Sequence, residues 1–189
     1  MNAPNAITVC RVILVPVIVY LLYLPVSWAQ WSSVGLFVVA MLSDVADGVI
    51  AKKREQITNF GTFLDPVADK MLILSMFLAL SGLGVIPFWI ALVILWRELL
   101  VTGIRSVASS KGVVVGANWM GKTKAVFQTA TIIAAQLFLC YQTTGPITDD
   151  QVNFGGSFVT ALATLSALLS VAFAGVFVYW NRALLFEDI

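Results

Sequence analysis

Six long apolar segments constrain the fold of this chain more than any other feature. Apolar residues make up 60% of the 189 positions and charged residues only 11%, unlike the balance of a water-soluble domain. A segment of about 20 apolar residues can cross a bilayer, and it must be helical because lipid offers the backbone no hydrogen-bond partners. We therefore predict an all-α integral membrane protein with six transmembrane helices. The predicted spans are 7–24, 31–51, 66–80 (or from near residue 60), 86–107, 120–141 and 158–180.

The basic residues are distributed unevenly between the segments that connect the predicted spans. Segments 24–31, 81–87 and 142–157, which connect alternate spans, contain no Lys or Arg. Because basic residues favour the cytoplasmic side of a membrane, both termini are predicted to be cytoplasmic. The basic residues on that side are Arg11, Lys52, Lys53, Arg54, Lys70, Arg97, Arg105, Lys111, Lys122, Lys124 and Arg182.

Four aspartates, among the ten acidic residues of the chain, lie in one short stretch at the borders of apolar runs. Asp44 and Asp47 are three residues apart and Asp65 and Asp69 four apart, so each pair shares a face of a helix. Asp44 lies eight residues before Lys52, about 12 Å below the cytoplasmic boundary at ~1.5 Å per residue. Carboxylates that converge at this depth repel one another unless cations lie between them.

The chain contains no histidine, so metal ligands and proton acceptors must come from other side chains. Oxygen ligands favour hard cations, and the pattern predicts two divalent ions, Mg²⁺ or Mn²⁺. Gly48 and Ala51 fall on the same helical face as the first pair and leave room for a substrate. A polar packing cluster and an ion pathway, as in a cation transporter, are the alternative interpretations of these carboxylates.

This stretch resembles the signature of the CDP-alcohol phosphotransferases, Asp-x2-Asp-Gly-x2-Ala-Arg-x8-Gly-x3-Asp-x3-Asp. Lys52 stands where that family usually has Arg, which keeps the charge but loses the bidentate fork. Further similarity lies in segments 5–11, 65–70, 97–98 and 121–124, and residues 1–189 are predicted to form a single domain of this fold. The matching positions are Asp44, Asp47, Gly48, Ala51, Gly61, Asp65 and Asp69.

The resemblance implies a reaction in which an alcohol attacks the β-phosphorus of CDP-diacylglycerol and releases CMP. It implies that the four aspartates hold the two metal ions and that Asp69 is the general base. Asn5 and Thr8 are candidates for contacts with the nucleotide, although capping of the first helix is an equal alternative. The residues predicted to bind CDP-diacylglycerol are Asn5, Thr8, Gly48, Ala51, Lys52 and Gly61.

The identity of the acceptor depends on the remaining positive charges. A phosphorylated acceptor needs a cationic pocket, and glycerol 3-phosphate fits, giving phosphatidylglycerophosphate. The residues predicted to bind its phosphate are Arg105, Lys122, Lys124 and Arg182. Basic residues also enforce topology and bind anionic lipids, Arg97 can form a structural pair with Glu98, and Arg105 can be tied to Glu98.

Inositol phosphate and phosphatidylglycerol, as in a cardiolipin synthase, are the alternative acceptors. The resemblance further implies a homodimer in the bacterial cell (inner) membrane, among membrane lipids, with the active site facing the cytoplasm. No nucleic-acid partner is expected.

Overall fold

The computed structural model describes the backbone of residues 3–54, 59–110, 119–146, 148–180 and 182. Side chains are described for 9–43, 70–108, 119, 121–146, 148–180 and 182. All regular structure in these residues is α-helical, as predicted. The helices are α1 (Ala3–Tyr23), α2 (Ser27–Arg54), α3 (Asn59–Gly82), α4 (Phe88–Ser110), α5 (Trp119–Thr144) and α6 (Asp149–Trp180).

Each predicted span lies largely within one of these helices, and α3 begins near residue 60, as the longer version of the third span requires. Within the described residues, two helices are long and apolar enough to cross a membrane, Gly121–Thr144 and Asp149–Trp180. Val9–Tyr23 and Lys70–Gly82 are shorter apolar helical stretches. The described part of the chain is therefore all-helical and consistent with a membrane protein.

The last helix begins nine residues earlier than predicted, so the expectation of a connecting segment over 142–157 was wrong for most of its length. Thr148 donates its backbone N–H to Gln151 Oε1 at 3.2 Å, while Gln151 N–H donates to the Thr148 carbonyl at 3.0 Å. This reciprocal pair caps the helix start. Asp149 and Asp150 in the first turn complement the positive end of the helix dipole.

The turn between α3 and α4 is tight. Gly84, between α3 and α4, has a φ of 74°, a conformation that favours glycine. Its neighbour Val85 donates its N–H to the Leu80 carbonyl at 3.0 Å, which closes the end of α3. This short connection makes α3 and α4 adjacent in the bundle.

Two helices lie at the centre of the packing. α3 packs against α1, α4 and α5, and α5 packs against α2, α3 and α6. Close approach of α5 and α6 depends on Gly155, because a Cβ there would lie 2.5 Å from Cε2 of Phe138. The largest fully buried side chains between the helices are Phe37, Phe77, Ile18, Leu22, Leu72, Met76, Leu80, Ile86, Ile90, Ile94, Ile132 and Gln136.

Polar side chains connect α1, α2 and α5 inside this core. Ser33 is fully buried and donates its hydroxyl to the Ile18 carbonyl at 3.0 Å. Gln136 Nε2 in turn donates to Ser33 Oγ at 3.2 Å. Since buried polar groups are costly unless they are hydrogen-bonded, these contacts fix how the three helices align.

Candidate active site

The four predicted metal ligands lie on two helices with common neighbours. Asp44 and Asp47 belong to the C-terminal part of α2, and Asp65 and Asp69 to the N-terminal part of α3. Both helices pack against α1 and α5. The side chains of all four aspartates lie outside the described residues. The same holds for the predicted CDP-diacylglycerol ligands Asn5, Thr8, Gly48, Ala51, Lys52 and Gly61.

A small cavity of about 50 Å³ lies between α2, α3, α4 and α5, next to these motif positions. Lys70, which directly follows Asp69 in the chain, lines it, and so does Met41, three residues before Asp44. Glu98 and Lys124 add two further charged groups. We call this the lysine cavity, and the described side chains that line it are Met41, Lys70, Ile73, Leu74, Glu98, Lys124, Ala125, Gln128 and Thr129.

Glu98 forms ion pairs with two basic side chains at the lysine cavity. Its Oε1 accepts a hydrogen bond from Arg97 Nη1 at 2.9 Å and another from Lys124 Nζ. The three side chains are between 8% and 12% exposed, so the ion pairs are well withdrawn from solvent. Arg97 also donates its Nε–H to the Ser170 carbonyl at 2.9 Å, which connects α4 to α6. The Arg97–Glu98 pair suggested by the sequence is therefore present, and Lys124 joins it.

Thr102, one turn after Glu98 in α4, is hydrogen-bonded to Lys70, the second lysine of the cavity. Lys70 Nζ donates to Thr102 Oγ1, and that hydroxyl donates to the Glu98 carbonyl at 2.6 Å. One face of α4 therefore contacts Lys70 of α3 and Lys124 of α5. Sequence reasoning missed this role for Lys70 and Glu98, although the position of Lys70 beside Asp69 and the isolation of Glu98 in an apolar span were visible signals.

The other predicted phosphate ligands lie at the same end of the bundle but do not join the lysine cavity. The guanidinium of Arg105 lies 6.0 Å from the centroid of the Phe177 ring, and that of Arg182 lies 4.7 Å from the Tyr179 centroid. Lys122 is exposed. Arg105 is therefore associated with α6, whereas Glu98 pairs with Arg97 and Lys124.

This end of the bundle is formed by the end of α4, the start of α5 and the end of α6. The rings of Trp119 and Phe173 make an edge-to-face contact at 6.1 Å, which places the start of α5 beside the last turns of α6. Arg105 of α4 reaches the same part of α6. The predicted phosphate ligands thus share one end of the molecule, with Lys124 the innermost of them.

Within the described side chains, no three acidic or thiol groups come together to form a metal site. The lysine cavity contains one unusual polar group instead. Gln128 is 2% exposed, and its Nε2 has no hydrogen-bond partner. A buried donor without an acceptor is costly.

The family model of the CDP-alcohol phosphatidyltransferases matches residues 1–185. The chain belongs to this family. It is therefore an enzyme of the phosphatidyltransferase class, and the carboxylate positions in α2 and α3 are those of the family signature found in the sequence.

Curated relatives within the CDP-alcohol phosphatidyltransferases agree with this assignment. The chain is 36% identical over 148 residues to a CDP-diacylglycerol–glycerol-3-phosphate 3-phosphatidyltransferase of Bacillus subtilis, covering 72% of this chain and 77% of the relative. A protein of the same name from Shigella flexneri serotype 5b is 34% identical, with 89% and 91% covered. Another from Escherichia coli K12 is 35% identical, with 69% and 74% covered.

Proposed function

We propose that this phosphatidyltransferase transfers the phosphatidyl group of CDP-diacylglycerol to sn-glycerol 3-phosphate, giving phosphatidylglycerophosphate and CMP in phospholipid biosynthesis. The observation that carries the proposal is the lysine cavity, which is lined by Lys124 and by Lys70, the residue next to Asp69. Two cationic side chains close in sequence or space to the carboxylate motif support a phosphorylated acceptor. The names of the relatives from three bacteria support the same acceptor.

Asp44, Asp47, Asp65 and Asp69 are proposed to hold two divalent ions, Mg²⁺ or Mn²⁺. Their carboxylate oxygens suit hard cations. Such ions, when bound, neutralise the charge of the pyrophosphate and of the departing CMP. Asp69 is proposed to accept the proton of the acceptor hydroxyl, as a carboxylate must in a chain without histidine.

The nucleotide is proposed to lie against the motif-bearing part of α2. Gly48 and Ala51 present no bulk there, so a ribose or base can approach the helix backbone. Lys52 supplies a point charge to a phosphate oxygen, and Gly61 leaves space at the start of α3. Asn5 and Thr8 at the start of α1 are proposed to contact the cytidine.

The acceptor phosphate is proposed to bind Lys124 first, with Arg105, Lys122 and Arg182 guiding it from the cytoplasmic end. Lys124 is largely buried and is oriented by Glu98, whereas Arg105 rests near an aromatic ring. A preorganised cation binds an anion better than a mobile one does, because less side-chain freedom is lost.

We further propose that all six helices cross the bacterial inner membrane as one domain, with both termini and the active site on the cytoplasmic side. The distribution of Lys and Arg supports this orientation. The exposed apolar side chains then face lipid, and two copies of the chain form a homodimer.

The direct test is CMP release by the purified protein with CDP-diacylglycerol, Mg²⁺ and glycerol 3-phosphate. Release that requires glycerol 3-phosphate is expected, together with formation of phosphatidylglycerophosphate. Release that requires inositol phosphate or phosphatidylglycerol instead would replace the acceptor and keep the reaction class. No release with any alcohol, from folded protein that binds Mg²⁺, would overturn the reaction itself.

A further inference from the structure

Gln128 of α5 is a buried residue whose amide nitrogen has no hydrogen-bond partner. It lies four residues after Lys124 in α5, so both side chains occur on one helical face, and both line the lysine cavity. Gln128 is 2% exposed, yet its Nε2 finds no acceptor among the surrounding groups. Because an amide nitrogen can only donate, its missing partner must be an acceptor atom.

The surroundings of this amide define what kind of group can reach it. Ile73, Leu74 and Met41 supply apolar walls, and Lys70, Lys124 and Glu98 supply the charges. At about 50 Å³, the cavity has room for at least one water or one oxygen-bearing group, since ~10–15 Å³ of such volume is enough for a water. A single oxygen of a larger molecule that extends beyond the cavity fits.

We propose that Gln128 is a specificity-determining residue whose amide donates a hydrogen bond to an oxygen of the phosphorylated alcohol that accepts the phosphatidyl group. The inference rests on the proposed function and names one more contact in its acceptor site. Lys124 supplies charge, and Gln128, one turn further along α5, supplies a directional donor. A buried donor of this kind discriminates strongly against molecules that lack the matching oxygen.

The test compares two glutamines of the same helix. Gln136 lies two turns beyond Gln128, is fully buried and donates to Ser33 Oγ at 3.2 Å, away from the lysine cavity. Gln128→Leu and Gln136→Leu therefore remove the same amide from the same kind of environment. Steady-state CMP release is measured against glycerol 3-phosphate and, separately, against CDP-diacylglycerol.

For Gln128→Leu, KM for glycerol 3-phosphate is expected to rise about tenfold or more, the usual effect of losing a hydrogen bond to a charged oxygen. KM for CDP-diacylglycerol should stay within about twofold. For Gln136→Leu, both constants should stay near those of the unsubstituted protein. Gln128→Asn keeps the amide on a shorter side chain and should give an intermediate KM, and it replaces the leucine variant if that does not fold.

Inhibition by inorganic phosphate identifies which oxygen is bound. If the contact is to the phosphate, the inhibition constant rises in Gln128→Leu together with KM. If the contact is to a glycerol hydroxyl, KM rises alone, and both results support the proposal. Unchanged KM for glycerol 3-phosphate in folded Gln128 variants, with an active parent protein, would overturn it. An inactive parent protein would instead reject the proposed function.

Discussion

Lys124 of α5 and Arg97 of α4 share a single carboxylate oxygen, Oε1 of Glu98. Two positive charges are thereby compensated by one negative charge, and all three side chains are largely buried. The cluster therefore ties α4 to α5 through a largely buried ion pair, and it fixes the position of the Lys124 ammonium group.

The first prediction concerns the removal of this shared charge. Glu98→Gln keeps the size of the side chain but removes the carboxylate that Arg97 and Lys124 share. Breaking a buried ion pair on one side costs about 3 kcal/mol or more, so the thermal midpoint in detergent should fall clearly. KM for glycerol 3-phosphate should rise as Lys124 loses its orientation.

Asp150→Asn is the matched control for this substitution. Asp150 is exposed in the first turn of α6, where loss of one charge alters stability by only about 0.5 kcal/mol. If Glu98→Gln changed the thermal midpoint and KM for glycerol 3-phosphate no more than Asp150→Asn does, Glu98 would neither stabilise the cluster nor orient Lys124.

The second prediction concerns the hydrogen bond between Lys70 of α3 and Thr102 of α4. Thr102→Val removes the hydroxyl that accepts from Lys70 Nζ and donates to the Glu98 carbonyl. Because Lys70 adjoins Asp69, we expect kcat for CMP release to fall by about tenfold, the cost of one hydrogen bond to a charged group. Thr164→Val is the control, since its hydroxyl makes only the intrahelical bond to the Thr160 carbonyl, at 2.8 Å. Equal activity of the two variants would contradict a role for Thr102.

The third prediction separates stability from catalysis. Ser33→Ala removes the fully buried hydroxyl that connects Ile18 of α1 with Gln136 of α5. Leaving such partners unsatisfied costs about 1–3 kcal/mol, so the thermal midpoint should fall while KM for both substrates is unchanged. The neighbouring Ser32→Ala should have little effect, because Ser32 is exposed and bonds only the Trp28 carbonyl of its own helix. A changed KM in Ser33→Ala would refute this division of roles.

The fourth prediction addresses the carboxylate motif directly. Asp69→Asn should abolish CMP release, because it removes both a proposed metal ligand and the proposed base. Chelation of divalent ions with EDTA should abolish release by the unsubstituted protein, and added Mg²⁺ or Mn²⁺ should restore it. Asp149→Asn, at the far end of the bundle, should remain active. Full activity of Asp69→Asn would reject the assignment of the motif.

Hydropathy predicted the helices well because a bilayer imposes one solution on each apolar run. It failed at the start of α6, where Asp149 and Asp150 look like a connecting segment. Their charges suit the positive end of a helix, and the capping pair of Thr148 and Gln151 completes it. Local hydrogen bonding therefore extended a helix into polar sequence.

The candidate site was predictable only in part, since charge positions along a chain do not determine which charges meet. Lys124 was selected for its location near the cytoplasmic side, but its pairing with Glu98 depends on how α4 and α5 are positioned in the bundle. Arg105, two turns after Glu98, could have reached the same carboxylate by sequence spacing. Its contact with Phe177 instead depends on α6 packing against α4. Gln128 has no sequence signal beyond its spacing from Lys124.

In the proposed membrane orientation, the early start of α6 limits how deeply the protein can sit in the bilayer. Its 32 residues extend about 48 Å at ~1.5 Å per residue, whereas the hydrocarbon layer is ~30 Å thick. Drawing Asp149 or Asp150 into that layer would cost about 3 kcal/mol each. In the orientation proposed above, these carboxylates stay in water on the side of the membrane opposite the lysine cavity, and they limit how far α6 can shift towards the side of the reaction site.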